Sequence, residues 1–243
     1  MKRVDYLPKS ALSIHAHPDD QEFTVAGTLA FWARSNCQVT SVIVTSGEAG
    51  CNDSTVTQEY KNKLRAIRER EQESACSILG IHSLIFLNYP DGEVEPTIQL
   101  RRDLTRLIRQ NKPEVIVTGD PQRIFYGSDY INHPDHRAVA QAALYAAFPS
   151  AGSRLIFTDL LVEGFEPHEV QKLYLHGAEH ADTWVDISQT IDQKISALKM
   201  HQSQLGDWDP DQMIRAWAAA EGEKHGMEYA EAFKVMVVSQ DSD

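Results

Sequence analysis

The sequence predicts an α/β fold in which a mostly parallel β-sheet has helices on both faces and a functional site at its carboxyl edge. Two observations favour this class: short apolar or β-branched runs alternate with helical segments, and most connections between them are short. The chain has 243 residues, of which 42% are hydrophobic, enough for the core of an α/β domain. We therefore expect residues 1–243 to form one domain, with a less regular part from about residue 150.

The first part of the chain repeats a strand-then-helix pattern. Predicted strands cover 11–16, 38–45, 84–87 and 114–118, and predicted helices cover 27–36, 58–79, 97–110 and 134–147. The first run is short and mainly apolar, as buried parallel strands are, and the second (QVTSVIVT) is rich in β-branched residues. The helix at 58–79 ends before Gly80, which predicts a glycine cap, and Pro134 suits the first turn of the last helix.

The last hundred residues are less regular. Runs at 155–161, 183–187 and 232–238 predict strands, and 188–201 and 211–224 predict helices. The order of these strands in the sheet cannot be read from the sequence.

Charge and composition exclude several classes of partner. Lys and Arg total 23 against 35 for Asp and Glu, so the formal net charge is −12. Nucleic acids and anionic membranes favour basic surfaces, and we expect neither as a partner.

We also expect no membrane span and no signal peptide, since no apolar run is long enough. Three widely spaced cysteines indicate reduced thiols and a cytoplasmic protein.

Four polar segments follow predicted strands and are expected to meet at one edge of the sheet. They are HPDD at 17–20, SGEAG at 46–50, the turn at 90–92 and the long segment at 119–136. Ligands of parallel α/β sheets bind beyond the carboxyl ends of the strands. The sequence therefore predicts the functional site at this edge.

The first and last of these segments contain groups that bind metals. His17, Asp19 and Asp20 lie within four residues, and His133 and His136 are three apart on a predicted helix. That spacing brings two imidazoles to one helical face, about 5–6 Å apart at their β-carbons. Two histidines and one carboxylate are a common catalytic zinc ligand set, and Asp135 could orient His133.

Each motif also has a structural explanation. HPDD could be an Asp-capped helix start, and HPDH could be a proline turn with surface histidines. Their occurrence at the same sheet edge favours a metal site over both explanations. Glu48 could contact a substrate or cap its loop, and His201 could face the pocket, a subunit contact or only a helix end.

The two motifs together resemble those of a known family. HPDDQEFTVAGTLA at 17–30 and HPDHRAVA at 133–140 are similar to the PIG-L/LmbE-like deacetylases, with TSGEAG, RERE followed by LG, and HQSQ as supporting matches. The resemblance extends from residue 11 to about residue 204. That family includes N-acetylglucosaminyl-phosphatidylinositol de-N-acetylase and the deacetylases of mycothiol and bacillithiol biosynthesis. A Rossmann-like sheet is the fold that the resemblance implies.

The resemblance also implies a role for individual residues. It implies that His17, Asp20 and His136 bind zinc, that Asp19 is the general base and that His133 stabilises the oxyanion. Further expectations are substrate-binding roles for Arg68, Glu48 and His201, and a homotrimer or homohexamer. One departure is Gln21. Many members have Glu directly after HPDD, whereas this chain has Gln21 there and the glutamate one position later, at Glu22. The family does not use that position as a ligand, so we expect metal binding to be unaffected.

The expected function is zinc-dependent hydrolysis of the acetamide of an N-acetylglucosamine-type sugar or its conjugate, which releases acetate and a free amine. Zinc suits the ligands, although other divalent ions would also bind. One alternative is an amidase that cleaves a larger acyl group from a thiol conjugate or an antibiotic. Another is a non-catalytic zinc- or carbohydrate-binding protein, although such a protein would not need a general base at Asp19. A nucleotide-binding protein is disfavoured because no glycine-rich phosphate motif is present.

Overall fold

The computed structural model describes residues 6–51 and 57–239, together with the backbone of residues 2 and 3. In these residues a single large sheet has the strand order β1-β9-β10-β8-β5-β2-β3-β4, and β6 and β7 form a separate hairpin. The strands are β1 Lys2–Arg3, β2 Ser10–His15, β3 Gln38–Thr45, β4 Ser83–Tyr89, β5 Val115–Gly119, β6 Phe125–Tyr126, β7 Tyr130–Ile131, β8 Lys172–His176, β9 Thr183–Asp186 and β10 Ala230–Val237.

Strand pairing in the large sheet is mostly parallel, as predicted. The central strand β2 pairs in parallel with β3 and β5, and parallel pairing continues to β4 on one side and β8 on the other. Strand β10 is the exception, because it runs antiparallel to both β8 and β9. The carboxyl ends of β2, β3, β4, β5 and β8 therefore lie at the same edge.

Helices cover both faces of the sheet. They are α1 Asp20–Thr24, α2 Ala26–Arg34, α3 Gln58–Leu79, α4 Ile98–Asn111, α5 Pro134–Tyr145, α6 Asp159–Val162, α7 Ile191–Leu198, α8 Gln202–Leu205 and α9 Asp211–Glu223. Side chains of α4 and α5 pack with Leu12 and Ile14 in one core. Those of α2, α7 and α9 pack with Ala11 and Val39 in the other, so adjacent residues of a strand face opposite cores.

The predicted strand at 155–161 is wrong. This stretch consists of turns followed by the short helix α6, and Leu155 is 88% exposed. The buried guanidinium of Arg109 donates to the carbonyls of Ser150, Ser153 and Ile156, which bends the chain around one cation. Strand β8 follows instead at Lys172–His176, where no strand was predicted.

The structure contains no helix among the described residues that is both long and apolar enough to cross a membrane. Cys37, Cys51 and Cys76 are free thiols, as the sequence predicts. That residues 1–243 form one domain stays a prediction.

A buried ion pair joins three elements behind the HPDD segment. Glu231 on β10 accepts hydrogen bonds from the backbone amides of Gly27 and Thr28 in the first turn of α2, at 2.9 and 2.8 Å. Lys194 on α7 donates to Glu231 at 2.6 Å and to the Thr24 carbonyl at 2.8 Å. Both charged side chains are at most 5% exposed.

Lys194→Met is expected to lower the free energy of unfolding by about 3–5 kcal/mol, because it leaves the Glu231 carboxylate buried without its countercharge. The matched control is Lys234→Met, which removes a pair of the same length, 2.6 Å to Asp182, whose side chains are about 40% exposed. That loss should be about 0–1 kcal/mol. Urea unfolding of both variants measures the difference, and equal losses would contradict this assignment.

Candidate metal centre

The HPDD segment turns sharply as it leaves β2. Asp19 has φ 93° and ψ −25°, in the left-handed region, and directly precedes α1. The backbone amide of His17 donates to Asp20 Oδ2 at 2.9 Å, which closes the turn. As a result the side chains of His17 and Asp20 face the same point above the sheet edge.

The HPDH segment begins α5 at the same edge. His133 caps this helix, since its Nδ1 accepts a hydrogen bond from the Asp135 amide at 3.2 Å, and Pro134 is the first helical residue. The His133 and His136 rings lie 5.4 Å apart, and the His17 ring lies 4.8 and 5.1 Å from them. The two distant motifs therefore meet, as the sequence predicts.

Three potential metal ligands converge with suitable spacing. His17 Nδ1 lies 3.2 Å from His136 Nε2 and 3.6 Å from Asp20 Oδ2, and His136 Nε2 lies 3.0 Å from Asp20 Oδ1. Ligands at the Zn–N and Zn–O distances of about 2.0–2.2 Å are about 3.3 Å apart in a tetrahedral site. Each separation is close to that value, although Asp20 faces His17 through Oδ2 and His136 through Oδ1. The ring nitrogens of His17, His133 and His136 also lie close enough together to hold a metal ion.

Hydrogen bonds at the far side of each ring fix its tautomer. His136 Nδ1 is 3.1 Å from Asn132 Oδ1, and the Asn132 amide nitrogen donates to the Arg123 carbonyl, so Oδ1 is the atom that faces the ring. His17 Nε2 lies 3.0 Å from Asp91 Oδ1 and 3.2 Å from Asp135 Oδ2. In the neutral form of each ring these acceptors take the N–H group, which leaves His17 Nδ1 and His136 Nε2 with facing lone pairs. Such an arrangement fits a cation between them.

The electrostatics of the site also favour positive charge. Burial lowers the pKa of His17, but the carboxylates of Asp20, Asp135 and Asp91 raise it well above its usual value. Burial raises the pKa of Asp20, and His136 and His17 together hold it well below its usual value. An ionised carboxylate therefore faces the two rings, as a divalent metal requires.

Asp19 is adjacent to Asp20 in the chain but makes a different contact. Its Oδ2 is 3.1 Å from the guanidinium of Arg68, which also donates to the Gly47 and Pro18 carbonyls at 2.8 and 2.6 Å. Burial raises the pKa of Asp19 to about 6 in spite of the charge of Arg68. A carboxylate with this pKa is suited to accept a proton near neutral pH.

His133 is the most exposed of the three histidines in the site, at 41% of its side chain. Because its Nδ1 accepts a hydrogen bond, its proton in the neutral form lies on Nε2. Burial and the charge of His17 lower its pKa, which favours that neutral form. His133 can therefore donate one hydrogen bond to a bound molecule.

Asp135 contacts His133 mainly through its backbone, and its charge raises the pKa of that ring against the larger, opposite effect of burial. The backbone amide of Asp135 orients His133, while its carboxylate lies 4.0 Å from His133 Nδ1. That carboxylate accepts instead from His17 and from the amides of Gly92 and Val94 at 2.8 and 3.2 Å. The charge of Asp135 thus acts mainly on His17.

The three residues expected to bind substrate are largely buried. Arg68 is 4% exposed and contacts Asp19, and Glu48 is 7% exposed and accepts from the Asp91 amide at 3.3 Å. His201 is fully buried, with its Nε2 3.4 Å from Glu22 Oε2. These positions favour organisation of the site over direct contact with a substrate, and Glu48 holds the turn at 90–92 rather than its own loop.

Three residues that support the site were not predicted from the sequence. Asp91 contacts His17, Asn132 contacts His136, and Gln72 accepts a hydrogen bond from the Asp19 amide. The turn at 90–92 was expected at the sheet edge, but its carboxylate was not recognised as a partner of His17. Asn132 directly precedes HPDH, a position that could have indicated a contact with His136. Gln72 follows Leu64 and Arg68 at intervals of four on the buried side of α3, and that spacing was the available signal.

Comparison with known proteins identifies the family. The model of the PIG-L family, described as GlcNAc-PI de-N-acetylase, matches residues 12–147, more than half of the chain and both motifs. The chain belongs to the PIG-L family. The resemblance seen in the sequence is therefore confirmed.

PIG-L relatives match over most of the chain. Diacetylchitobiose deacetylase of Thermococcus kodakarensis is 28% identical over 235 residues, which cover 93% of this chain and 82% of that protein. The probable N-acetyl-α-D-glucosaminyl L-malate deacetylase 2 of Bacillus anthracis is 29% identical over 200 residues, 81% of this chain and 82% of that protein. The solved structure of N,N'-diacetylchitobiose deacetylase from Pyrococcus horikoshii has a TM-score of 0.85 at 29% identity, covering 95% of this chain and 84% of that one.

Proposed function

We propose that this protein is a zinc-dependent de-N-acetylase that hydrolyses the acetamide of an N-acetylglucosamine-type sugar or its conjugate to acetate and a free amine. The main support is the group at the edge of the sheet, where His17, Asp20 and His136 lie within 3.6 Å of one another and the largely buried carboxylate of Asp19 is adjacent in the chain. Membership of PIG-L and the names of the Thermococcus and Bacillus relatives, both deacetylases of N-acetylated sugars, support the substrate class.

His17, Asp20 and His136 would hold the metal, and their spacing fits zinc. When bound, zinc would supply an acidified water molecule and a positive charge next to the acyl carbonyl. The lone pairs of His17 Nδ1 and His136 Nε2 are directed at that position because Asp91, Asp135 and Asn132 occupy the opposite nitrogens.

The remaining groups of the site would move the proton and stabilise charge. Asp19 accepts the proton of the attacking water, since it is ionised above a pKa of about 6 and is not a ligand. His133 donates its Nε2–H to the oxygen of the acyl group as negative charge develops there. Asp19 then passes its proton to the departing amine, which leaves the sugar as the free amine.

Acetate release tests this proposal. Metal-free protein is incubated, with and without added zinc, with N-acetylglucosamine, N,N'-diacetylchitobiose, N-acetylglucosaminyl malate and N-acetylglucosaminyl inositol. We expect acetate from at least one compound, and only when zinc is present. Release that is independent of metal would contradict the proposed mechanism, and release only from amides of longer acyl groups would contradict the proposed substrate class.

The metal used in the cell, the oligomeric state and the cellular location are further parts of the proposal. Manganese, cobalt and iron should be tried in place of zinc, since ligand chemistry alone does not select the ion used in the cell. A homotrimer or homohexamer and a cytoplasmic location stay predictions, and light scattering of the purified protein tests the first.

A further inference from the structure

We propose that Gln72 is a positioning residue for Asp19: its side-chain oxygen holds the Asp19 backbone in the left-handed conformation that directs the Asp19 carboxylate towards the metal centre. This inference rests on the proposed function, in which Asp19 moves the proton. It concerns neither a ligand nor a group that touches the substrate.

The backbone of Asp19 requires such support. A φ of 93° is disfavoured for any residue with a β-carbon, and it persists only where neighbouring contacts hold it. The amide of Asp19 donates to Gln72 Oε1 at 3.0 Å. The carbonyl of Asp19 accepts from the amides of Glu22 and Phe23, so both backbone polar groups of this residue are fixed.

The orientation of the Gln72 amide is fixed in turn by Glu22. Gln72 Nε2 donates to Glu22 Oε1 at 2.9 Å, so the oxygen is the atom left to face Asp19. Gln72 and Glu22 are both fully buried. A buried amide with both ends engaged has one orientation, which makes it a rigid support for the turn.

One helix thus holds Asp19 at two points. Arg68 and Gln72 are four residues apart and lie on the same face of α3. Arg68 contacts the carboxylate at 3.1 Å, and Gln72 contacts the backbone at 3.0 Å. Movement of α3 relative to β2 would therefore displace the carboxylate that the mechanism uses.

The chain offers a closely matched control in Gln21. This side chain is also fully buried, donates to Glu22 Oε1 at 2.8 Å and lies 3.5 Å from Cys76 Sγ, as Gln72 does. Its Oε1 also accepts one hydrogen bond, but from the Ser41 hydroxyl at 2.8 Å. The two glutamines differ mainly in the group that they hold.

The test compares Gln72→Met with Gln21→Met in zinc-loaded protein. Misplacement of a catalytic group by about 1 Å can cost about 10²-fold in rate, so we expect Gln72→Met to lower kcat by about 10- to 100-fold. KM and zinc content should stay at wild-type values. Gln21→Met should lose similar thermal stability and keep most of its kcat. Hydrogen exchange of the Asp19 amide should accelerate only in Gln72→Met.

Gln72→Glu separates positioning from stability. It keeps an oxygen that can accept from the Asp19 amide, but it adds a second carboxylate next to Glu22. We expect this variant to melt at a lower temperature than Gln72→Met and to have a higher kcat. The opposite ranking of kcat would contradict the inference.

Equal losses of kcat in Gln72→Met and Gln21→Met would overturn the inference, as would a loss confined to KM or zinc content. In either case a wild-type protein that releases acetate leaves the proposed function intact. If the wild type releases no acetate from any compound, the proposed function and the inference both fail.

Discussion

Asp19→Asn is expected to lower kcat by about 10²–10⁴-fold, the usual contribution of general acid–base catalysis, while zinc content stays unchanged. Asparagine has the same shape as aspartate but cannot accept the proton of water. It also tolerates positive φ better than most residues, so the backbone at φ 93° is preserved. The loss should therefore come from proton transfer and from the lost charge opposite Arg68, and not from a changed backbone.

The measurement is kcat and KM at saturating zinc, with metal analysis of the same samples. Asp19→Ala is the comparison, because alanine removes the same carboxylate and also disfavours the left-handed conformation. We expect Asp19→Ala to be the slower and less stable of the two. A kcat near that of the wild type in Asp19→Asn would exclude Asp19 as the base.

Regular elements were predictable because their residue patterns reflect burial, on one side of a helix and on both faces of a central strand. The helix expected at 58–79 is α3 at the same residues, and Gly80 adopts φ 73° as its cap. The strand at 38–45 is β3, with all but its first residue buried. In these segments local preference and tertiary packing favour the same structure.

The strand prediction failed at 155–161, where a distant cation, Arg109, determines the path of the chain. The run at 155–161 contains apolar residues, but Arg109, more than 40 residues earlier, binds the carbonyls around it. Strand β8 has a burial pattern with three buried central residues, and its neighbours β5 and β10 are far away in sequence. Neither arrangement leaves a signal within a short window.

The convergence of the HPDD and HPDH motifs was more predictable than the contacts that support it. HPDD and HPDH are short and contiguous, so their composition is visible in one line of sequence. Their supporting contacts join different elements: Asp91 follows β4, and Gln72 lies within α3. Polar residues in a helix are normally read as solvent-facing, although the spacing of Arg68 and Gln72 from Leu64 indicated that they face the core, as the structure shows.

Loss of the metal is the other large effect that we expect. His136→Ala removes one of three ligands and leaves His17 and Asp20 alone, so we expect no stable zinc binding and no acetate release at any practical zinc concentration. Competition with a chromophoric chelator measures the affinity. Zinc binding at wild-type strength would instead indicate His133, whose ring lies 5.4 Å away, as the ligand.

Substitution of Asn132 should weaken zinc binding to a smaller extent than loss of His136. Its Oδ1 keeps the proton of His136 on Nδ1, and loss of such a contact typically weakens metal affinity about 10- to 100-fold. Asn132→Leu should therefore bind zinc more weakly and recover its kcat when zinc is raised. Asn132→Asp keeps an acceptor for Nδ1 and should hold zinc more tightly than Asn132→Leu. If Asn132→Leu had unchanged affinity and a permanently low kcat, Asn132 would act on the substrate rather than through His136.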